Sequence, residues 1–62
     1  MLRKILLARL ERKLKRAEAL GAINGDEAEA IRESARGADW VMIMELVMMI
    51  IEMIMEWLDK RD

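Results

Sequence analysis

Apolar positions recur along the chain in three blocks at helical spacing. The densest runs from Trp40 to Leu58, where sixteen of nineteen residues are apolar and only Glu45, Glu52 and Glu56 interrupt them. Ile43, Val47, Ile50, Ile54 and Trp57 follow one another at spacings of 4, 3, 4 and 3, a single helical seam of mostly β-branched residues. Met44, Met48 and Met55 form one shoulder of that seam, and Met42, Met49 and Met53 form the other. Glu45, Glu52, Glu56 and Asp59 make a narrow polar strip opposite. So wide an apolar surface predicts a helix from Trp40 to Lys60 that is buried on more than one side.

The first block predicts an amphipathic helix from Leu2 to Leu20. Its seam is Leu7, Leu10, Leu14 and Ala17, followed by Gly21, with Leu2, Leu6 and Leu20 on one shoulder and Lys4, Arg12, Lys15 and Arg16 facing away. Gly21 suits a left-handed stop, and Ile23 is placed to fold back on the last turn. Asn24 followed by Glu27 reads as a capping box that opens a second helix, Gly25 to Arg36, with Asp26 and Glu27 at its positive end. That helix is short, and its inward stripe is only Ala28, Ile31 and Ala35, small residues that let the third helix approach closely. Gly37 offers a second glycine stop and Asp39 an N-cap before Trp40. A continuous helix from Gly25 to Lys60 is disfavoured, because the Ala28, Ile31, Ala35, Ala38 stripe would run in phase onto Glu45, Glu52 and Glu56. The fold class expected is therefore all-α, a single domain over residues 1–62, a long-short-long unit of three helices.

Sixty-two residues make one small domain, which buries only about 60% of the surface its unfolded chain exposes. Such domains draw extra stability from disulfides, metals, oligomerisation or very regular helix packing. The chain has no Cys and no His, so self-association and regular packing are the supplements left to it. The formal net charge of −1 implies no partner by itself. Its distribution is uneven: Met1 to Leu20 carries seven basic and two acidic side chains, while the remainder is net acidic. The N-terminal apolar residues alternate with charges, which predicts no secretory signal.

Candidate chemistry is thin. Without His, Cys, Thr or Tyr, and with Ser34 as the sole serine, no nucleophile and base can be paired, so no catalytic residues and no enzyme are expected. The strip Glu45, Glu52, Glu56 and Asp59 could ligate a hard cation, but a regular helix lacks the extra carbonyl ligands such ions take, and no metal or other cofactor is expected. The basic face of the first helix lacks interleaved aromatics for base stacking, so no nucleic acid is expected either. Trp40 and Trp57 bracket the apolar block about 25 Å apart, imitating a membrane belt. Eight Val, Leu and Ile residues contribute about −4 kcal/mol to insertion, whereas two deep Glu residues oppose it with about +5, so membrane insertion is disfavoured unless a bundle hides a Glu-lined interior.

Seven residue types are absent, namely Cys, Phe, His, Pro, Gln, Thr and Tyr. That narrow alphabet, with explicit caps, glycine stops and unbroken seams, resembles the de novo designed helical miniproteins. The Met-dense third helix departs from their style, in which Met is used sparingly. The resemblance implies a regular bundle and carries no functional motif. Counting faces gives the functional expectation: the third helix buries its seam and one Met shoulder inside the domain, and the other shoulder meets a second copy. The interface residues expected are Met42, Met44, Met48, Met49, Ile51, Met53, Met55 and Trp57, in a dimer or larger homo-oligomer. Two-fold symmetry sets the third helices of two copies against each other, and antiparallel pairing is expected because it spreads the Glu residues away from one another. The alternatives are a binder that offers the third helix to a hydrophobic groove of another protein and the membrane-inserted bundle.

Overall fold

A computed structural model describes residues 1–61, which form three helices: α1 (Leu2–Leu20), α2 (Gly25–Arg36) and α3 (Trp40–Lys60). These bounds coincide with those expected, because each boundary is written in local chemistry. Gly21 takes a left-handed φ of 85°, and the N–H groups of Gly21 and Ala22 donate to the carbonyls of Glu18 and Ala17, the paired bonds of a Schellman stop. Ile23 follows and is buried. Asn24 Oδ1 accepts from the Glu27 N–H at 2.8 Å while Glu27 Oε1 accepts from the Asn24 N–H at 3.0 Å, completing the capping box. Asp39 caps α3 by accepting from the Met42 N–H at 2.9 Å.

The break between α2 and α3 falls where periodicity places it, but Gly37 does not act as Gly21 does. Its φ is −104°, ordinary backbone for any residue. The end of α2 is closed from a distance: the Arg3 guanidinium donates to the carbonyl of Arg36 at 2.8 Å and to that of Ala38 at 3.1 Å. A cation from the start of α1 thus satisfies orphan carbonyls at the negative end of α2, and no left-handed turn is needed.

That contact also fixes direction. Arg3 lies beside Arg36 and Ala38, and Gly21 lies beside Trp57, so α1 and α3 run parallel along their lengths with α2 returning between their ends. The main contact is α1 against α3. The core comprises Leu6, Leu10, Leu14 and Ala17 of α1, Ile23, Ala28 and Ala35, and Ile43, Val47, Ile50 and Ile54 of α3; Leu14, Ile43 and Ile50 are its largest fully enclosed side chains. Among the described residues no polar or charged residue is buried.

Two expectations about faces are corrected. On α1 the buried line passes through Leu6, while Leu7 is half-buried and Leu2 is exposed. Leu7 looks toward α2, whose surface there is Ala35 and the stem of Arg32, too small to close over a leucine. On α3 neither Met shoulder is buried. Met44, Met48 and Met55 are all exposed, as are Met42 and Met49; Met53 alone is half-buried against the core. A helix of twelve residues with an alanine stripe covers only the Leu46 and Met53 side of α3, and little of that. The thinnest dimension of the molecule, 14 Å, is that of two helix layers, which leaves no third to cover the far side.

Candidate interaction surface

The outer side of α3 carries a second apolar seam. Met44, Met48, Ile51, Met55 and Leu58 follow spacings of 4, 3, 4 and 3, the same rhythm as the buried seam but rotated about one quarter of the circumference. Every one of them is exposed, Met48 by 59% and Met55 by 63%, and Trp40 and Val41 extend the seam at its N-terminal end. Two heptad seams on one helix give it two apolar faces. Among the described residues α1 covers the first, and the second is left exposed.

The flanks of this seam carry opposite charge. Arg32 of α2 reaches both Glu11 and Glu18, so those residues mark the side of α1 that faces α2. Arg9, Lys13 and Arg16 lie across the buried Leu6, Leu10, Leu14 line, on the side away from α2. On α3, Leu46 and Met42 neighbour Ser34 and Ala38, and Met53 neighbours Ala22, so the exposed seam also lies away from α2. The two helices therefore present one continuous face. Crossing it, one meets a basic edge on α1, the apolar seam on α3, and then the acidic strip of Glu45, Glu52, Glu56 and Asp59, all four exposed.

Among the described residues none of these flanking charges is paired. Among the described residues the ion pairs join Arg32 to Glu11, Glu18 and Glu29, and Arg36 to Glu33, all beside α2. Arg32 grips Glu11 with a fork of hydrogen bonds, and this bonding holds the Glu11 carboxyl below its ordinary value; slight burial opposes the shift, and the charges of Arg32 and Lys15 assist it. The same bond raises the Arg32 guanidinium. The groove where this happens, about 350 Å³ between α1 and α2, is floored by Leu7, Leu10 and Ala35 and closed at its rim by the fork and by Arg3 and Arg36.

Of the eight residues expected at an interface, six lie on the outside: Met42, Met44, Met48, Met49, Ile51 and Met55. Met44, Met48, Ile51 and Met55 fall together on the seam; Met42 and Met49 flank the acidic strip on its other side. Met53 and Trp57 turn inward. Trp57 lies against Gly21, where a Cβ would sit 3.6 Å from its Cζ2, and its indole N–H is buried without an acceptor among the described residues. Leu58, Trp40 and Val41 join the outer seam without having been anticipated, although their spacing from Met44 and Met55 marks them. The basic edge was legible only as a solvent face, since its position beside the seam depends on how α1 and α3 pack.

No group of three or more acidic residues among those described is arranged to hold a metal ion, and no described helix is long and apolar enough to cross a membrane. No family model, curated protein or solved structure matches the chain.

Proposed function

We propose that this protein is a non-catalytic structural module that self-associates through the outer seam of α3. The observation that carries the reading is the second 4, 3, 4, 3 seam, complete over Met44 to Leu58 and exposed at every position. A helix of 21 residues is about 31 Å long. Its uncovered apolar side therefore amounts to several hundred Å², roughly at the limit that monomers tolerate. Unbranched thioethers fill irregular gaps between partners, and without His, Cys, Thr or Tyr the sequence offers no nucleophile paired with a base. The narrow residue alphabet and the complete caps support the further reading of the chain as a designed helical bundle.

The contact is modest in area, so association is expected at micromolar concentration and above. Sedimentation of the purified chain at tens of micromolar then reports a dimer or larger species. Met48→Glu combined with Met55→Glu, two of the most exposed positions, yields a helical monomer. A folded monomer in the unaltered chain at that concentration overturns the reading in favour of a module that inserts α3 into a groove of a different protein.

A further inference from the structure

Resting on that self-association, we infer that the partner is a second copy aligned parallel to the first, its two-fold axis running along the helices, with Arg9 and Arg16 of each copy facing Glu45 and Glu52, respectively, of the other. A face with a basic edge, an apolar centre and an acidic edge can meet its own copy in two ways. When the two-fold axis runs across the helices, the copies are antiparallel and each edge meets itself: the α1 cations face cations, and the α3 carboxylates face carboxylates. When the axis runs along the helices, the edges exchange, and each basic edge meets an acidic one.

The level of the charges reinforces the choice. Thirty-five positions separate Arg3 from Ala38, which it touches, and thirty-six separate Gly21 from Trp57 beside it. Arg9 therefore stands about level with Glu45, thirty-six positions on, and Arg16 about level with Glu52. Rotation about an axis parallel to the helices keeps every residue at its own height. It brings Arg9 opposite Glu45 of the copy and Arg16 opposite Glu52, four complementary encounters per dimer, among groups that have no ion-pair partner among the described residues of their own chain. Taken alone, α3 would favour antiparallel pairing to separate its carboxylates; the cations that α1 places beside the seam reverse that preference. The seam residues then pair with themselves across the axis, Met44 with Met44 and Leu58 with Leu58, as in a parallel two-stranded coil.

Two single-cysteine variants at exposed seam positions, Met44→Cys and Leu58→Cys, test the orientation. The chain has no other thiol. Each is oxidised alone at tens of micromolar, and an equimolar mixture of the two is oxidised and analysed by mass spectrometry. Parallel pairing gives a self-disulfide from each variant and little of the mixed Met44→Cys to Leu58→Cys species. Predominance of the mixed species with neither self-disulfide overturns the orientation while leaving self-association intact. A sedimenting monomer with no disulfide of any kind overturns both. Glu45→Lys with Glu52→Lys supplies a second measurement: parallel pairing predicts association weakened about tenfold or more by the new like-charge contacts, and association left unchanged overturns it.

Discussion

Arg32 of α2 and Glu11 of α1 are joined by two nearly parallel hydrogen bonds, Nε to one carboxylate oxygen and Nη2 to the other, each 2.9 Å. This fork is the main polar tie between α2 and the rest of the chain, and Arg32 extends it to Glu18 at 3.3 Å. A weakly apolar helix needs such a tie, since its buried residues are two alanines. Glu11→Gln is expected to destabilise the fold by about 0.5 kcal/mol, because the pair is partly solvated and screened. Arg32→Lys is expected to recover little, since an ammonium cannot reproduce the fork. Urea unfolding of the two variants measures this, and a Lys variant as stable as the parent would show that charge alone suffices.

The same pair sets a pH dependence. Glu11 has its pKa lowered in the folded chain from an ordinary value of 4.5 by the Arg32 bonds. Its contribution is therefore complete above that ordinary value and disappears as pH falls through the lowered one, when the folded state must take up the proton. The stability difference between parent and Glu11→Gln is expected to be constant above about pH 5 and to close below it. A difference that persists unchanged at pH 2 would assign the effect to packing.

The helix boundaries and the buried α3 seam were legible because each is encoded locally: a capping box, a glycine stop and a 4, 3 repeat need only a few neighbouring residues. What the chain order concealed was which side of α1 and α3 the short helix would cover. Leu6 and Leu7 differ by one position in phase, and only the packing of α2 over Ala35 decides that Leu6 is enclosed and Leu7 half-open. The Met shoulders show the same limit in the other direction. Their wide exposure follows from the small size of α2, which cannot cover what a third long helix would. Arg3 gave no sequence signal of its role, since its acceptors lie thirty-three and thirty-five positions away.

Arg3 and Asn24 close the two ends of α2 by different means, and their removal should be felt differently. Asn24→Ala deletes a local cap and is expected to cost about 1 kcal/mol. Arg3→Ala frees the carbonyls of Arg36 and Ala38 to water, because both bonds are exposed, and is expected to cost less, about 0.5 kcal/mol, concentrated at the junction of α2 and α3. Amide hydrogen exchange separates the cases: loss of Asn24 speeds exchange at Glu27, whose N–H it accepts, while loss of Arg3 speeds exchange around Ala38. Equal effects at both ends would show that α2 melts as one unit.

The two stopping glycines give the sharpest contrast. Gly21 sits at φ 85°, a conformation that side chains with a Cβ adopt only under strain, whereas the contact such a Cβ would make with Trp57, at 3.6 Å, is ordinary. Gly21→Ala is therefore expected to destabilise by about 1–2 kcal/mol through backbone strain and not through a clash. Gly37 sits at φ −104°, and no neighbouring atom lies within 4 Å of where its Cβ would be. Gly37→Ala restricts the unfolded chain without straining the folded one, and is expected to stabilise by about 0.4–1 kcal/mol. Urea midpoints measured on both variants should move in opposite directions. If Gly37→Ala lowered stability as much as Gly21→Ala, the second connection would have to pass through left-handed backbone in solution, and the Arg3 bonds to Arg36 and Ala38 would not be what ends α2.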